Sequence, residues 1–303
     1  MRKPRVPTIP GMNELARLLD AQGGVVTSAQ ALRHLTRRGL ESELNGGALQ
    51  RIWYGVYGRG QVDRGLQLRA LDLMTATTVA MSLGTAADAY GFDTERTADL
   101  HVLNPPGRQL RSADGLKVHR RQGEPLTLVR GRPTTEPAWT AIEVARSLPR
   151  PRALATLDAA LRSGTCSRDD LKRAVKRQFG RRGIVTPREL VGVASPKAES
   201  PMESEARLVM IDGGLPPPML QYEVVDVQGR LWRLDFAWPE LRVAAEYDGV
   251  DWHSGPEAFL RDRRRSSALQ ELGWVLVPIV AEDVRYRPHE LVRRLNIQLR
   301  KAA

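Results

Sequence analysis

The stretch RLDFAWPELRVAAEYDGVDWH, residues 233–253, places three carboxylates and a histidine inside two predicted buried β-strands. Its apolar residues are typical of a protein core and include Leu234, Phe236, Trp238, Leu241, Val243 and Ala245. Asp235, Glu246 and Asp248 lie among them. An isolated buried carboxylate is costly and either stays neutral or finds a partner. Three of them in one strand pair therefore need a shared partner.

The pattern after residue 195 predicts a helix, three strands, a helix, a strand and a final helix. Because side chains alternate across a strand, Glu246 and Asp248 should point to one face, and Asp235 on the preceding strand can lie beside them. Oxygen atoms that converge near an acid on the first helix suit a hard divalent cation such as Mg²⁺ or Mn²⁺. Such an ion can activate water and stabilise charge on a phosphate.

Short motifs in this segment are Ser200-Pro201-Met202-Glu203-Ser204, Arg207, Asp235-Phe236-Ala237-Trp238-Pro239, Glu246-Tyr247-Asp248-Gly249, His253, Asp262-Arg263 and Gly273-Trp274. The order of elements resembles the PD-(D/E)XK nuclease fold. The motifs resemble more closely a bacterial family related to very-short-patch-repair endonucleases, over about residues 199–297. The resemblance implies a restriction-endonuclease-like α/β domain with a central mixed sheet. In it, Glu203 would be the helical acid, Asp235 the metal-ligating aspartate and Glu246 the second strand acid.

One residue departs from the nuclease motif. The motif ends in a lysine two residues after the second strand acid, and this chain has Asp248 there. That lysine orients the attacking water or balances charge, so its role must be lost or taken by another group. His253 follows the strand and is a candidate general base or phosphate-contacting group. The predicted catalytic residues are Glu203, Asp235, Glu246, Asp248 and His253, and the predicted metal ligands are Asp235, Glu246 and Asp248.

The acids also allow a simpler interpretation. A salt-bridged cluster, with Arg233, Arg242 and Arg263 as partners, would leave a nuclease fold without catalysis. Glu205 competes with Glu203 for the helical role. Residues two apart on a helix face different directions, and the resemblance favours Glu203.

Residues 11–60 contain a second recognisable pattern. A first helix is indicated by leucines at helical spacing, Leu15, Leu18 and Leu19. The pattern TSAQALRHLTRRG predicts a second helix that is capped by Thr27 or Ser28 and ends at Gly39. A third helix in LESELNGG precedes a strand pair in QRIWYGVYGRG. Three short helices and a two-stranded wing predict a winged helix-turn-helix, with a generic small α+β lobe as the alternative.

The same stretch, LARLLDAQGGVVTSAQALRHLTRRGL followed by LQRIWYGVYGRG, resembles the winged-helix domain of AbiEi-type antitoxins from type IV toxin-antitoxin systems. The similarity extends over about residues 12–165, through LDLMTATTVAMSLGTAADAYGFD, DLHVLNPPG, LKVHRR and EPAWTAIEVARSL. It implies sequence-specific DNA binding, with Arg33, Arg37 and Arg38 near the candidate recognition helix. A toxin or a repair factor would be an additional protein partner, which the residues do not identify.

The charge balance points to a polyanionic partner. The formal net charge is +11 and the sequence pI is about 10.3, which favours nucleic acid first and an anionic membrane surface second. A merely solubilising surface is the alternative. The predicted connector at residues 166–194 concentrates Lys172, Arg173, Lys176 and Arg177. These residues form either a phosphate-contacting face or a solvated one. Arg263, in the arginine run on the helix after the acids, is a further predicted contact with DNA phosphate.

The remaining composition excludes several classes of protein. Cys166 is the only cysteine, so an intrachain disulfide and a cysteine-rich zinc site are excluded. The basic N-terminus has no apolar segment after it, and no apolar run approaches the length of a membrane span. The sequence therefore predicts a cytoplasmic protein that is not embedded in a membrane.

Together these patterns predict an α/β multidomain protein. A winged helix-turn-helix would occupy residues 11–60, an antitoxin-like α/β middle region 61–165, a basic helical connector 166–194 and a nuclease-like domain 195–303. The leading functional prediction is a DNA-binding protein with a Mg²⁺- or Mn²⁺-dependent endonuclease domain that acts in repair or defence. The alternative is a non-catalytic, antitoxin-like transcriptional regulator with a degenerate nuclease fold.

Overall fold

The structure is a computed structural model that describes residues 10–92, 98–120, 123–248 and 256–302. The chain divides into two compact units. The first comprises Met1–Ala86 and Thr97–Glu136, and the second comprises Ala87–Arg96 and Pro137–Ala303. Both combine helices with β-strands, so the predicted mixed α/β class is confirmed. The predicted boundaries near residues 60, 165 and 194 stay predictions.

The first unit begins with three helices and three strands. They are α1 (Pro10–Ala21), β1 (Val25–Thr27), α2 (Ser28–Ala31), α3 (Arg37–Asn45), β2 (Gln50–Trp53) and β3 (Val56–Gly58). The strands form one antiparallel sheet in the order β1-β3-β2. The residue pattern does not predict strand β1. The order of elements is the one that a winged helix-turn-helix has, and that assignment stays a prediction.

The predicted second helix through Gly39 is wrong. Helix α2 begins with a capping box, in which the Thr27 hydroxyl accepts from the Gln30 N–H, but it ends after four residues. A new cap then intervenes, because the Thr36 hydroxyl accepts from the Gly39 N–H at 3.1 Å. This threonine starts α3 at Arg37. Two successive Ncap residues thus divide one continuous apolar pattern into two helices.

The rest of the first unit contains α4 (Arg64–Thr75), β4 (Leu100–Leu103), β5 (Leu116–His119), β6 (Leu126–Val129) and β7 (Arg132–Thr135). Strands β4 and β5 are parallel, as their buried apolar residues allow, and β6 and β7 form an antiparallel hairpin. Helix α5 (Leu83–Tyr90) precedes β4 in the chain. The Arg132 guanidinium binds both carboxylate oxygens of Asp72, at 2.9 and 2.6 Å, and this pair ties β7 to α4.

The second unit begins with four helices, α6 (Pro137–Ala145), α7 (Arg150–Arg162), α8 (Arg168–Arg177) and α9 (Val185–Leu190). There follow α10 (Pro201–Asp212), β8 (Met219–Val225), β9 (Leu231–Trp238), β10 (Val243–Tyr247), α11 (Pro256–Glu271), β11 (Val275–Ile279), α12 (Ala281–Arg285) and α13 (Pro288–Ala302). The predicted order of elements after residue 195 is confirmed, with α12 as an addition.

The four strands β8 to β11 form one mixed sheet in the order β11-β10-β9-β8. Strand β10 pairs parallel to β11 and antiparallel to β9. Two groups of buried residues pack against it. One joins α10, α12 and α13 to the sheet and includes Met210, Phe236, Ala245, Ile279 and Leu295. The other joins α11 and includes Leu234, Ala244, Leu269 and Trp274. The sheet is thus a central layer between helices.

A buried ion pair connects α7 to α10 inside the second unit. The Arg207 Nη2 donates to the Asp158 carboxylate at 2.6 Å, and the two side chains are 6% and 0% exposed. The same carboxylate accepts from the Ser195 N–H at 2.7 Å, and Arg207 Nη1 donates to the Val193 carbonyl. The pair therefore also ties the chain between α9 and α10 to both helices.

We expect Arg207→Ala to lower the free energy of unfolding by about 3–5 kcal/mol, because it leaves the Asp158 carboxylate buried without its cation. Urea unfolding would measure the loss. The exposed Arg293→Ala serves as the control and should change the free energy by less than about 1 kcal/mol. The double variant Asp158→Asn, Arg207→Met should lose less than Arg207→Ala alone. Equal losses in Arg207→Ala and in the control would contradict this account of the pair.

Candidate active site

Helix α10 carries the first of the clustered acids. Ser200 caps the helix, since its hydroxyl accepts from the Glu203 N–H at 3.1 Å, and Pro201 occupies the first turn. The Glu203 carboxylate folds back over the helix N-terminus and accepts from the Glu199 N–H at 2.8 Å. A negative charge at this end of a helix is favourable. The cap therefore holds a largely buried carboxylate at one defined place.

An irregularity in β8 brings a glutamine to the acids. Gln221 has a φ of 51°, and the β8–β9 register passes from the pair Leu220 and Phe236 to the pair Tyr222 and Leu234 without pairing Gln221. Its Nε2 donates to Glu203 at 3.0 Å and to Asp235 at 3.4 Å. A non-glycine residue with a positive φ inside a strand is strained, and such residues cluster at functional sites. Gln221 thus bridges the acids of α10 and β9.

Asp235 lies against the backbone of the next strand. Its second carboxylate oxygen accepts from the Tyr247 N–H at 3.0 Å. Tyr247 follows Glu246 in β10, so the two acids lie on directly adjacent stretches of β9 and β10. The structure therefore brings Glu203, Asp235 and Glu246 into one neighbourhood, as the sequence predicted.

A cation that the sequence analysis did not select neutralises Glu246. Arg265 on α11 donates from Nη1 to Glu246 Oε2 at 2.5 Å and from Nη2 to Glu246 Oε1. Its Nη2 also donates to the Arg233 carbonyl at 2.7 Å, which ties the guanidinium to β9. Such two-pronged contacts are among the strongest hydrogen bonds in proteins. Arg265 thus locks α11 onto the acidic end of the strand pair.

Two of the arginines that were predicted for a salt-bridged cluster bind other groups. Arg233 pairs with Glu199, and Arg242 donates to the Leu272 carbonyl at 3.1 Å. Arg263 lies on the exposed side of α11. Arg233 and Arg242 are therefore not partners of the clustered acids, the role of Arg263 stays a prediction, and a different arginine binds Glu246.

The two candidate helical acids face different partners, as the spacing predicted. Glu205 is buried and accepts from Arg152 at 2.9 Å and from Arg285 at 3.1 Å. These arginines belong to α7 and α12, so Glu205 links three helices. Glu203 instead faces Gln221. The helical acid of the cluster is Glu203.

The carboxyl groups repel one another across a buried space. Burial is the main cause that raises the pKa of Glu203, and the charges of Asp235 and Glu199 add to it. Burial also raises the pKa of Glu246, against the opposing effect of Arg265, and the charges of Asp235 and Asp248 add to the rise. Asp235 acts on both groups. It is therefore the electrostatic centre of the cluster.

The remaining predicted site residues are placed as follows. Asp248 is exposed, and its N–H donates to the Ile279 carbonyl at 2.8 Å. His253 lies outside the described residues. Among the residues that the structure describes, no group of three or more histidine, cysteine, aspartate or glutamate side chains is arranged to hold a metal ion. The metal trio of Asp235, Glu246 and Asp248 stays a prediction.

The predicted DNA-binding residues of the first unit are exposed. Arg37 and Arg38 open α3, and Arg33 lies in the turns before it. Because all three lie within one short stretch, α3 presents a basic N-terminal end.

The basic connector is partly neutralised by its own helix. Lys172 pairs with Asp169 at 3.0 Å, and Arg173 pairs with Asp170. The Arg177 guanidinium lies 5.4 Å from the centre of the Trp139 ring, a cation–π contact. Lys176 is exposed in the last turn of α8. This helix therefore offers less unopposed charge than its sequence indicates.

Arg265 and Gln221 are the residues that the sequence analysis missed. Arg265 stands in an arginine run on a predicted helix next to the acids, so a helical-wheel argument could have singled it out. Gln221 gave no signal, because a positive φ at one residue of a strand is not visible in the residue pattern.

Comparison with known proteins identifies relatives of the chain. The family model of the AbiEi antitoxin C-terminal domain matches residues 79–193. This match confirms the antitoxin-like region and includes α8. Two Mycobacterium tuberculosis proteins, Uncharacterized protein MT2308 of strain CDC 1551 / Oshkosh and Uncharacterized protein Rv2248 of strain H37Rv, are each 53% identical over 268 residues. The alignment covers 88% of this chain and 98% of each relative. No helix among the described residues has the length and apolarity to cross a membrane.

The raised pKa of Glu203 predicts a pH dependence of stability. A carboxyl whose folded pKa exceeds its unfolded value, about 4.3, binds more protons in the folded state. The free energy of unfolding therefore falls as the pH rises through this window. Glu203→Gln removes the penalty, so its stability relative to the wild type should increase as the pH rises above the unfolded pKa of about 4.3. Urea unfolding across this range, with the exposed Glu240→Gln as the control, would measure it. A constant difference for Glu203→Gln would contradict the proposed repulsion.

Proposed function

The chain belongs to the same family as the two mycobacterial proteins, and from its antitoxin-like region and its acid cluster we propose that it binds DNA and cleaves it with a bound divalent metal. DNA binding is assigned to the region that includes α3 and the antitoxin-like residues 79–193. Cleavage is assigned to the cluster around Asp235. The single observation that carries the catalytic part is the placement of Asp235 between Glu203 and Glu246.

The donor atoms of the cluster suit Mg²⁺ or Mn²⁺. Asp235 and Glu246 offer carboxylate oxygens, and Mg²⁺ in phosphate-processing sites is commonly held by one or two carboxylates together with water and substrate phosphate. Asp248 at the open end of β10 would supply a further oxygen. A bound metal would activate water and offset the charge on the phosphate. This chemistry supports magnesium or manganese as the cofactor.

The residues around the cluster hold the acids in place for that role. Gln221 donates to both Glu203 and Asp235, and the Tyr247 N–H fixes the second oxygen of Asp235. Burial raises the pKa of Glu203 above its ordinary value, and the charge of Asp235 adds to the rise; carboxyl groups that act as general acids commonly have a raised pKa. His253, as a general base or phosphate contact, belongs to this proposal as well.

A second function is favoured by one observation. The guanidinium of Arg265 already satisfies both carboxylate oxygens of Glu246. With Asp248 at the position of the usual lysine, the cluster would then be a structural ion pair in a nuclease-like fold. The chain would act as an antitoxin-like transcriptional regulator that binds DNA without cleaving it. A toxin or a repair factor would be its protein partner.

The effect of metal on the melting temperature and the cleavage of DNA distinguish the two functions. We expect Mg²⁺ or Mn²⁺ to raise the melting temperature of the wild type and to support cleavage of plasmid or linear DNA, and EDTA to abolish both effects. Asp235→Asn should reduce cleavage by at least about 10- to 100-fold and abolish the metal-induced rise. In EDTA it should melt no lower than the wild type, since it removes one of the mutually repelling anions. DNA binding should persist, and Glu240→Gln should behave as the wild type.

The regulator predicts a different result. In that case metal would not raise the melting temperature and no DNA would be cleaved, whereas the wild type and Asp235→Asn would bind DNA alike. This combination would exclude the catalytic function and leave DNA binding intact.

Substitutions in the first turn of α3 test whether this helix binds DNA. If Arg37 and Arg38 contact phosphates, Arg37→Ala, Arg38→Ala should weaken duplex binding and reduce the slope of log K against log salt by about 1.8. Fluorescence anisotropy with labelled duplex DNA in EDTA would measure the slope. Arg300→Ala, Lys301→Ala removes the same charge from an exposed helix end and should leave the slope nearly unchanged. Equal effects of the two pairs would exclude α3 as a phosphate contact.

A further inference from the structure

A basic groove lies between the β8–β9 hairpin and α11. Its volume is about 430 Å³, and its walls include Gln228 and Arg230 from the hairpin and Leu260, Arg263 and Arg264 from the helix. The three arginines are exposed, and Glu271 is the one acid among the described residues that line the groove. The groove therefore combines an excess of positive charge with a concave shape.

The hairpin wall of the groove is held in one conformation by Asp226. Its carboxylate accepts from the Gln228 N–H at 2.9 Å, the Arg230 N–H at 2.8 Å and the Trp232 indole N–H at 2.9 Å. Backbone hydrogen bonds from Asp226 to Arg230 and from Gly229 to Asp226 close the turn. Burial alone would raise the pKa of Asp226, but these donors lower it. The turn is thus preorganised.

The hairpin exposes apolar side chains that its own unit does not cover. Val227 at the tip is 67% exposed, and Leu231 at the start of β9 is 57% exposed. Leu260, on the helix wall of the groove, is 52% exposed. Arginine guanidinium groups beside apolar side chains match the alternating phosphates and sugars of a nucleic-acid strand, whose charged groups dominate binding.

One turn of α11 carries residues of both the groove and the acid cluster. Arg264 lines the groove, and the next residue, Arg265, binds Glu246. Successive residues rise by about 1.5 Å along a helix and point about 100° apart. The same turn of α11 therefore faces the cluster on one side and the groove on the other. A strand with one phosphate at the acids could continue directly into the groove.

We infer that this groove binds the phosphate backbone of duplex DNA next to the acid cluster, with Arg230 and Arg264 as phosphate contacts and the Asp226-fixed hairpin as the opposite wall. The inference rests on the proposed function, because it takes DNA as the substrate of the neighbouring site. It adds a second DNA-binding surface that is separate from α3. Neither Arg230 nor Arg264 forms an ion pair within the described part of the chain, so neither must give up a partner to bind phosphate.

The test compares two double variants of the full chain that remove equal charge. Arg230→Ala, Arg264→Ala changes the groove, whereas Arg287→Ala, Arg293→Ala changes exposed arginines of the same unit outside it. Binding of labelled duplex DNA in EDTA would be measured from about 50 to about 200 mM salt. The groove variant should lose at least about tenfold in affinity and reduce the salt slope by about 1.8, since each lost phosphate contact removes about 0.9. The control should keep the wild-type slope.

A charge-preserving double variant distinguishes the loss of phosphate contacts from misfolding as the cause of weaker binding. Arg230→Lys, Arg264→Lys should retain most of the salt slope, because lysine also contacts phosphate as a point charge, and all variants should melt within a few degrees of the wild type. If the groove variant and the control behave alike while the wild type binds DNA, the groove inference is wrong and the proposed function stands. If the wild type does not bind DNA at all, the proposed function itself fails.

Discussion

The burial of carboxylates at one end of the β9–β10 strand pair is the constraint on which the C-terminal half depends. Asp235 and Glu246 cannot be withdrawn from water without hydrogen-bond donors or cations. The structure supplies them from separate elements, with Gln221 from β8, the Tyr247 N–H from β10 and Arg265 from α11. Each partner is distant in sequence from the acid that it binds. The acids can therefore be buried only when the hairpin, the sheet and α11 pack together.

The negative charge of these carboxylates can be balanced in two ways, by a guanidinium or by a metal cation. A divalent cation that bound Glu246, as proposed above, would compete with a guanidinium, because both bind through the carboxylate oxygens. In this structure Arg265 holds that place. Metal binding would have to exceed the strength of a partly buried, two-pronged ion pair. The two functions proposed above therefore differ in what balances the charge of Glu246, and this depends on Arg265 as well as on the acids.

The formal positive charge of the chain overstates the charge that is available to a polyanion. Arg207 is buried against Asp158, and Arg152 and Arg285 together hold Glu205. Arg177 lies over Trp139. These cations stabilise contacts between helices of the second unit. The basic groups at the start of α3 and along the groove beside α11 are instead exposed, so the distribution of charge, more than its sum, marks the surfaces that suit DNA.

The mixed α/β class, the order of elements after residue 195 and the set of acids were all predictable from the residues, because apolar alternation and interspersed carboxylates are local patterns. The sequence also separated Glu203 from Glu205, since helix geometry is local. It misjudged the second helix, because Thr36 starts a new helix inside a continuous apolar pattern. The pairing of Arg265 with Glu246 and the contact of Gln221 with Asp235 follow instead from the packing of distant elements. Both contacts join residues 14 or more positions apart, and such contacts exist only once strands and helices have packed, so no local pattern can specify them.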